Sequence, residues 1–307
     1  MKTLFAVAAC CLLAVTGRAQ QLTLQERLGY PKNARLLIIH ADDLGVSHSQ
    51  NQATIYALEK GSVRSASIMV PTPWFPEIAA YARTHPKADL GLHLTLTSEW
   101  DPYKWAPVAC DVPGLKNTDG YFYPDVDSVY RHASLDELER ELRAQIDKAQ
   151  RAGIDFTHFD SHMVALFGRP DYLKLLIRLG KEYRVPVLLA SHGARSIAAM
   201  HLDSSIVNKM ILLDHVYTAE PSDFAGGMAN YYKKVLTHLE PGVSILIIHT
   251  AYDDEEMREI TVGHTGWGAA WRQADFNFFT SEACRSLLEQ QHIHVITWRE
   301  IRDKLVR

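Results

Sequence analysis

The stretch that decides the fold is residues 35–45, RLLIIHADDLG. Its first half is a continuous aliphatic run, which is typical of a parallel strand covered on both faces. Its second half places two adjacent acids and a glycine where that strand must end. Because the carboxyl ends of parallel strands form the functional face of an α/β barrel, the stretch predicts a buried strand and a candidate site beside it.

The rest of the chain repeats this alternation of apolar runs with amphipathic helical stretches. The runs predicted as strands are 35–40, 65–70, 89–95, 156–159, 186–190, 210–216, 244–249 and 294–297. The clearest helix is 135–150, which Ser134 and Glu137 begin with a capping box and Gly153 follows. The pattern predicts the α/β class: a (β/α) barrel of parallel strands with outer helices, distorted or incomplete where pieces fail to close. A doubly wound open sheet is the alternative.

A single folded domain is expected after an export signal. Residues 1–19 predict a signal peptide, because an early lysine precedes an apolar stretch too short to span a bilayer and a small-residue cleavage pattern. A secreted or periplasmic protein is therefore expected, with a lipoprotein as the less favoured alternative. Residues 20–34 form an N-terminal extension and 35–307 a single barrel domain. Its segment 100–132, rich in proline, glycine and aromatic residues, is predicted as an insertion over the barrel mouth.

Composition narrows the partners. The chain is 47% hydrophobic and 22% charged, which is typical of a globular protein, and its formal net charge is −4. It has no long run of lysine or arginine, so nucleic acid and an anionic membrane surface are not expected as partners. Cys110 and Cys284 lie outside the predicted leader; whether they pair stays open, and neither is predicted to bind metal.

Acids and imidazoles fall at the ends of four predicted strands. They are Asp42 and Asp43 after the first, His93 in the third, His162 after the fourth and His249 at the end of the seventh. One carboxylate and two neutral imidazoles can hold a divalent cation and leave positions open for water and substrate. The adjacent carboxylate then stays free to take a proton. Taken singly, an Asp-Asp-x-Gly segment is more often a capped turn, and a strand-end histidine a structural residue.

Four short motifs resemble the YdjC-like carbohydrate deacetylases, the family of chitooligosaccharide deacetylase. They are Ala41–Gly45, Gly91–Thr95, Asp160–Met163 and Ile247–His249, and the stretch from Arg272 to Ile301 resembles that family's closing helix, strand and helix. The likeness covers about residues 35–303 in the same order. It implies a metal-dependent deacetylase barrel related to the polysaccharide deacetylases.

The resemblance also implies roles for individual residues. Asp43, His93 and His162 match the family's metal ligands, Asp42 its general base and His249 its general acid; the two aspartates could exchange roles. The implied cofactor is one divalent metal ion, with zinc preferred and magnesium or another first-row metal as alternatives. The implied partner is an acetylated mono-, oligo- or polysaccharide, with an N-acetyl group as the preferred target.

Two differences from the family concern substrate identity. Met163, Val164 and Ala165 stand where the family commonly has further histidines, and Thr250 follows His249 where the family often has His-Pro-Gly. Two other functions remain open. One is a metal-dependent hydrolase of another bond, such as a phosphoester or a non-sugar amide. The other is a secreted carbohydrate-binding protein with a structural metal.

Further predictions concern residues near these motifs. Asp160 either orients a metal-bound imidazole or is a turn aspartate, and His40 is interpreted as structural. Six aromatic residues are candidates for sugar stacking, with core packing as the alternative for each: Trp74, Trp100, Tyr103, Trp105, Trp267 and Trp271.

Overall fold

The sheet is parallel throughout and curls around its longest strand. The computed structural model describes residues 22–191, 210–264 and 266–307. Its strands are β1 Arg35–Leu44, β2 Ser65–Ile68, β3 Leu90–Leu94, β4 Phe159–Ser161, β5 His215–Thr218, β6 Gly242–Ile248 and β7 Ile293–Val295. Their order is β4-β3-β2-β1-β6-β5, with β7 paired to the first part of β1. Two isolated parallel bridges, Phe159 with Val187 and Ala190 with Leu213, lie between β4 and β5. The predicted class, a distorted and incompletely closed barrel, is confirmed.

Helices surround the sheet along the described chain. They are α1 Leu24–Leu28, α2 His48–Lys60, α3 Phe75–Thr84, α4 Val126–His132, α5 Leu135–Arg151, α6 Pro170–Tyr183, α7 Pro221–Ala225, α8 Met228–Thr237, α9 Glu255–Ile260, α10 Ala269–Phe279, α11 Glu282–Gln290 and α12 Trp298–Leu305. Helix α5 confirms the prediction for 135–150. Both hydrogen bonds of its capping box between Ser134 and Glu137 are present, so two backbone donors at the helix start are satisfied locally.

Alternation along the strands divides the apolar residues into two cores. Leu37 and Ile39 of β1 belong to the larger core, which the outer helices share. Leu36 and Ile38 belong to a smaller core with residues of β6 and with Trp298 at the start of α12. Because side chains alternate along a strand, the smaller core fills the barrel interior. The same alternation directs the next residue of this face, His40, into the interior near the carboxyl edge.

Three strand predictions were wrong in extent. The run 186–190 contributes only the two isolated bridges, and Pro186 has no N–H to donate to a longer ladder. The strand predicted at 156–159 is found at Phe159–Ser161, and the one predicted at 210–216 at His215–Thr218. Both observed strands lie further along the chain than predicted. His162 consequently follows directly after β4.

The predicted insertion and the N-terminal extension contain only short regular elements. The insertion 100–132 holds a 3₁₀ turn at Pro113–Leu115 and helix α4. In the extension 20–34, α1 lies against α12, whereas the predicted leader 1–19 falls outside the described residues. Cys110 is exposed and Cys284 buried, and both are free thiols. Within the described ranges, no helix has the length and apolar character needed to cross a bilayer.

An ion-pair cluster on α12 supports a stability prediction. Buried Arg302 donates to Asp155 at 2.7 and 3.0 Å, and Arg299 donates to it at 2.6 Å. Partial burial opposes ionisation, but Arg302 and Arg299 outweigh it and hold the pKa of Asp155 well below its usual range. Asp155→Asn should therefore lower the free energy of unfolding. Because the Asp155 side chain is 44% exposed, solvent screening limits the loss at neutral pH to about 1 kcal/mol.

The pH dependence of that loss has a definite sign. A carboxyl with a depressed folded-state pKa stabilises the protein above its unfolded value of ~3.9, and this stabilisation is lost as pH falls further. Urea unfolding should show the full difference between wild type and Asp155→Asn at pH 6 and a smaller one at pH 3. Asp119→Asn, in an exposed turn, is the control. An equal difference at both pH values would contradict the ion-pair explanation.

Candidate metal centre

Three of the predicted residues meet at the carboxyl edge of the sheet. Asp43 lies near the end of β1, His93 lies in β3, and His162 directly follows β4. Oδ1 of Asp43 is 3.5 Å from Nε2 of His93 and 3.4 Å from Nδ1 of His162. One ligand-type atom from each of the three lies within 4.8 Å of the others. A single small cation can therefore contact all three side chains.

An irregularity in β1 explains how two adjacent aspartates face one site. In a regular strand, neighbouring side chains point to opposite faces. Between Ala41 and Leu44 the register against β2 shifts, and Asp43 adopts a left-handed backbone with φ of 70°. Bulges of this kind re-aim side chains next to functional sites. Nε2 of His93 consequently lies 3.8 Å from Asp42 Oδ2 and 3.5 Å from Asp43 Oδ1.

Within the described part of the chain, one oxygen of Asp43 has no hydrogen-bond partner. Its Oδ1 is buried and meets no donor in hydrogen-bond geometry among the described residues. Such an atom destabilises the fold unless a cation or water satisfies it. Its neighbours are ring nitrogens of His93 and His162, which are atoms of the kind that bind metal ions. The residues therefore fit a divalent cation, and their mixed nitrogen and oxygen set suits zinc.

Two other groups of side chains also come close together, and both contain Asp160. They are His40 with His158 and Asp160, and Asp42 with His93 and Asp160. The oxygens of Asp160 are already engaged there, at 2.8 Å by Nδ1 of His93 and at 3.1 Å by Nε2 of His40. Asp43 offers the unsatisfied oxygen, so the group built on Asp43 is the candidate metal centre.

Each candidate histidine ligand has its outer nitrogen fixed by a carboxylate. Asp160 accepts from Nδ1 of His93, which leaves Nε2 for the centre. Glu99 lies 3.0 Å from Nε2 of His162, which leaves Nδ1. Carboxylates in this position set the tautomer and orientation of metal-bound imidazoles. Asp160 thus lies where the sequence-based alternative of an orienting residue requires, whereas Glu99 was missed. Its only signal is an acid five residues beyond the strand that carries His93.

Arg272 of α10 is a second site residue that sequence reasoning missed. Its guanidinium donates to Asp43 Oδ2 at 2.9 Å and to the side chain of Gln50 at 2.6 Å. Burial opposes ionisation of Asp43, but the charge of Arg272 and the proximity of His162 outweigh it and hold the pKa of Asp43 well below its usual range. Asp43 is therefore a carboxylate at neutral pH, with one oxygen on Arg272 and the other facing the imidazoles.

Asp42 lies on the inner side of the centre. Its Oδ1 is 3.0 Å from Nε2 of His40 and accepts from Ser67 at 3.3 Å. Burial opposes its ionisation, but His93 and His40 outweigh burial and lower the pKa of Asp42. Against the same burial, Asp160 and Asp42 raise the pKa of His40 to about 9. Asp42 is therefore ionised and able to accept a proton, and His40 belongs to the polar network of the site.

His249 completes the set from the end of β6. Its Nε2 lies 4.0 Å from Asp43 Oδ2, and its backbone N–H donates to Asp275 at 2.9 Å. Burial lowers the pKa of His249 to about 4, although Asp43 acts in the opposite direction. Its imidazole is neutral at pH 7, so a role as general acid requires it to gain a proton during the reaction.

The aromatic candidates separate into buried and exposed groups. Trp100 and Trp105 are buried and pack edge to face at 5.8 Å, with the Trp105 ring 6.4 Å from the ring of His162. Trp74 and Trp267 are each 37% exposed. The buried pair forms a wall behind a candidate ligand, and the exposed pair is available to a larger molecule. Tyr103 and Trp271 are partly or fully buried by packing.

Glu99 gives the centre a specific test. Glu99→Gln keeps an acceptor for His162 but removes the charge, and Glu99→Ala removes both. Loss of an outer partner of this kind weakens metal affinity by roughly 10–100-fold, and we expect the alanine variant at the upper end. Competition of the protein with a chromophoric chelator for zinc measures the affinity. Glu59→Gln is the matched control, because Glu59 pairs with exposed His85 at 3.5 Å near the C-terminal end of α2, remote from the centre. Unchanged affinity in both Glu99 variants would contradict the assignment.

Fold and site together define an α/β-barrel protein with a candidate metal centre at the carboxyl edge of its sheet. The chain belongs to the YdjC-like protein family, whose model matches residues 36–290. A carbohydrate deacetylase of Thermus thermophilus is 32% identical over 292 residues, covering 92% of this chain and 100% of that protein. A carbohydrate deacetylase of Brevibacillus brevis is 29% identical and covers 86% of this chain and 99% of its own length.

A solved structure extends the likeness at the level of the fold. It is a proposed cellobiose-phosphate cleavage protein from Enterococcus faecalis, 22% identical, with a TM-score of 0.71. The superposition covers 87% of this chain and 99% of that one. The incomplete barrel is therefore shared with an independently determined structure.

Proposed function

We propose that this protein is a metal-dependent carbohydrate deacetylase that removes acetyl groups, N-acetyl first of all, from a saccharide. The observation that carries the proposal is the unpartnered Oδ1 of Asp43 facing two imidazole nitrogens. Membership of the YdjC-like family and relatives named carbohydrate deacetylases support the substrate class.

The metal is assigned to Asp43, His93 and His162. One divalent ion held there would polarise the acetyl carbonyl and bring the pKa of water toward ~7. Zinc is the preferred ion for this ligand set, with magnesium or another first-row metal as alternatives. Arg272 holds the second oxygen of Asp43, so the carboxylate presents a single oxygen to the ion in a fixed orientation.

Proton transfer is assigned to Asp42 and His249. Asp42 is an ionised carboxylate whose Oδ2 points toward His93 at 3.8 Å, so it can remove a proton from the attacking water. His249 lies on the other side of Asp43, near its Oδ2. Because an amide nitrogen leaves poorly as an anion, His249 takes a proton from solvent during the reaction and delivers it to the departing amine, while Asp42 releases to solvent the proton that it removed from water. The products are acetate and an amino sugar.

The substrate is expected to meet aromatic walls. Trp74 and Trp267 are exposed, and Trp267 adopts a left-handed backbone with φ of 57°, a conformation that a tryptophan rarely adopts. Aromatic side chains bind the apolar faces of sugar rings, since the aromatic rings offer a large contact area at low entropic cost. These exposed rings support a saccharide as the substrate, with an N-acetyl group as the preferred target.

Acetate release from a panel of N-acetylated and O-acetylated saccharides tests the proposal. The protein is stripped with chelator and assayed before and after addition of zinc, magnesium or manganese. Release that depends on a divalent ion supports the proposal, and the panel then ranks the acetyl position. No release by the metal-loaded protein from any saccharide would overturn it. Hydrolysis of phosphoesters or non-sugar amides, or glycan binding without hydrolysis, would then identify the function.

A further inference from the structure

His40 lies at a junction between two parts of the site that have separate tasks. Its Nε2 is 3.0 Å from Asp42 Oδ1 and 3.1 Å from Asp160 Oδ2. Asp42 is the proposed base, and Asp160 orients the candidate ligand His93. On the other side of the ring, Nδ1 of His40 is 2.9 Å from the hydroxyl of Ser65. The ring is fully buried.

The chemistry of the contacts fixes the proton. Ionised carboxylates only accept hydrogen bonds, so Nε2 of His40 carries a hydrogen, which it donates to Asp160 at 3.1 Å. Oδ1 of Asp42 lies within ion-pair distance of the same nitrogen, at 3.0 Å. A ring nitrogen that faces two anions makes charge-assisted contacts with them, which are stronger than neutral ones. Without it, the two buried carboxylates would face each other with like charges and no common donor.

The backbone places the ring where this sharing is possible. His40 pairs with Ser65 across β1 and β2, and His93 pairs with Asp160 across β3 and β4. His40 also belongs to the interior face that contains Leu36 and Ile38. The ring therefore approaches both carboxylates from the barrel interior. The polar contacts found for it in the described chain are with Asp42, Asp160, Ser65 and Ser67.

We infer that His40 is a positioning residue that holds the base Asp42 and the orienting carboxylate Asp160 in fixed positions relative to each other. The distance and orientation between the proposed base and the candidate ligand His93 then stay constant. The inference rests on the proposed function. It goes beyond that function because it predicts that one interior side chain affects both metal affinity and turnover. His40 is therefore placed to act through the two carboxylates that face its Nε2.

Two amide substitutions separate positioning from simple space filling. In His40→Gln the amide nitrogen can stand near the place of Nε2 and donate to the carboxylates. In His40→Asn the shorter amide reaches only the Ser65 side. We expect zinc affinity and kcat to fall roughly 10–100-fold in His40→Asn and His40→Ala, with KM nearly constant, because outer-partner losses have this size. His40→Gln should restore most of both quantities. Ser65→Ala, which removes the Nδ1 partner and leaves the Nε2 contacts in place, should have the smaller effect.

Zinc affinity, from competition with a chromophoric chelator, is read independently of catalysis. A double-mutant cycle of His40→Ala with Asp160→Asn should be strongly non-additive in zinc affinity, since both act on His93 through one contact. Equal affinities in His40→Gln and His40→Asn, or additive losses in the cycle, would overturn the inference.

The two proposals can fail separately. A wild-type protein that binds zinc without releasing acetate, while the variants keep the expected order of zinc affinities, would overturn the proposed function and support the positioning of His93. An active wild type whose His40 variants all match it in zinc affinity and kcat would overturn the inference alone.

Discussion

Replacement of His93 by alanine is expected to abolish zinc binding at micromolar zinc and to lower kcat/KM by about 10³-fold, since the metal contributes several kcal/mol. His93 supplies one of two imidazoles, and its Nε2 faces both aspartates. With His93 gone, Asp43 and His162 remain as two ligands, too few to hold a divalent ion firmly. Chelator competition gives the affinity, and acetate release gives the rate.

The control for that variant is another histidine. His238 is exposed at the end of α8, where Nδ1 contacts the carbonyl of Lys234 at 2.9 Å. His238→Ala should therefore leave zinc affinity and acetate release at wild-type values. A His93→Ala protein that still bound one zinc per chain with wild-type affinity would move the metal away from this centre. Circular dichroism shows whether each variant remains folded.

The second large effect is expected from Asp42→Asn, which should lower kcat about 10³-fold, within the range of general acid–base catalysis, and leave zinc affinity within about threefold of wild type. Asparagine has nearly the same shape and can still accept from His40, so the loss isolates proton transfer. The prediction depends on Asp42 lying beside the centre without supplying the unpartnered oxygen.

The adjacent aspartate provides the matched comparison. Asp43→Asn should weaken zinc binding, because it removes the charge that faces both imidazoles and pairs with Arg272. The two variants should therefore have opposite effects: Asp42→Asn loses turnover but keeps the metal, and Asp43→Asn loses the metal. If Asp42→Asn lost zinc while Asp43→Asn retained it, the two residues would have exchanged roles. The chelator assay distinguishes these outcomes without any substrate.

Local sequence patterns predicted the barrel and the position of its candidate ligands. The aliphatic run of β1 indicates a strand covered on both faces, and its even positions lead through Ile38 and His40 to Asp42. His93 and His162 follow from the same reasoning, since both stand at the carboxyl ends of parallel strands. The position of a residue at a strand end depends on the local order of apolar and polar residues, and this order can be read from a single sequence.

Contacts between distant segments could not be predicted in this way. Arg272 reaches Asp43 across 229 positions of sequence, and Glu99 approaches His162 from an irregular loop. No periodicity places either residue, because tertiary packing alone decides where these side chains end. The interpretation of His40 as structural shows the same limit. A structural role was predicted, but the two carboxylates that face its Nε2, Asp42 and Asp160, come from different strands.

The pairing of β1 ties the site to the integrity of the whole domain. This strand is bonded to β6 along one edge, and to β7 and then β2 along the other. Amide protons of such a central strand exchange only when the entire cooperative unit opens. Asp42 and Asp43 follow the paired part of that strand, so the ladder up to Ala41 anchors them for as long as the sheet remains folded. On heating, activity should therefore persist at full level and then vanish in a single step, together with the fold.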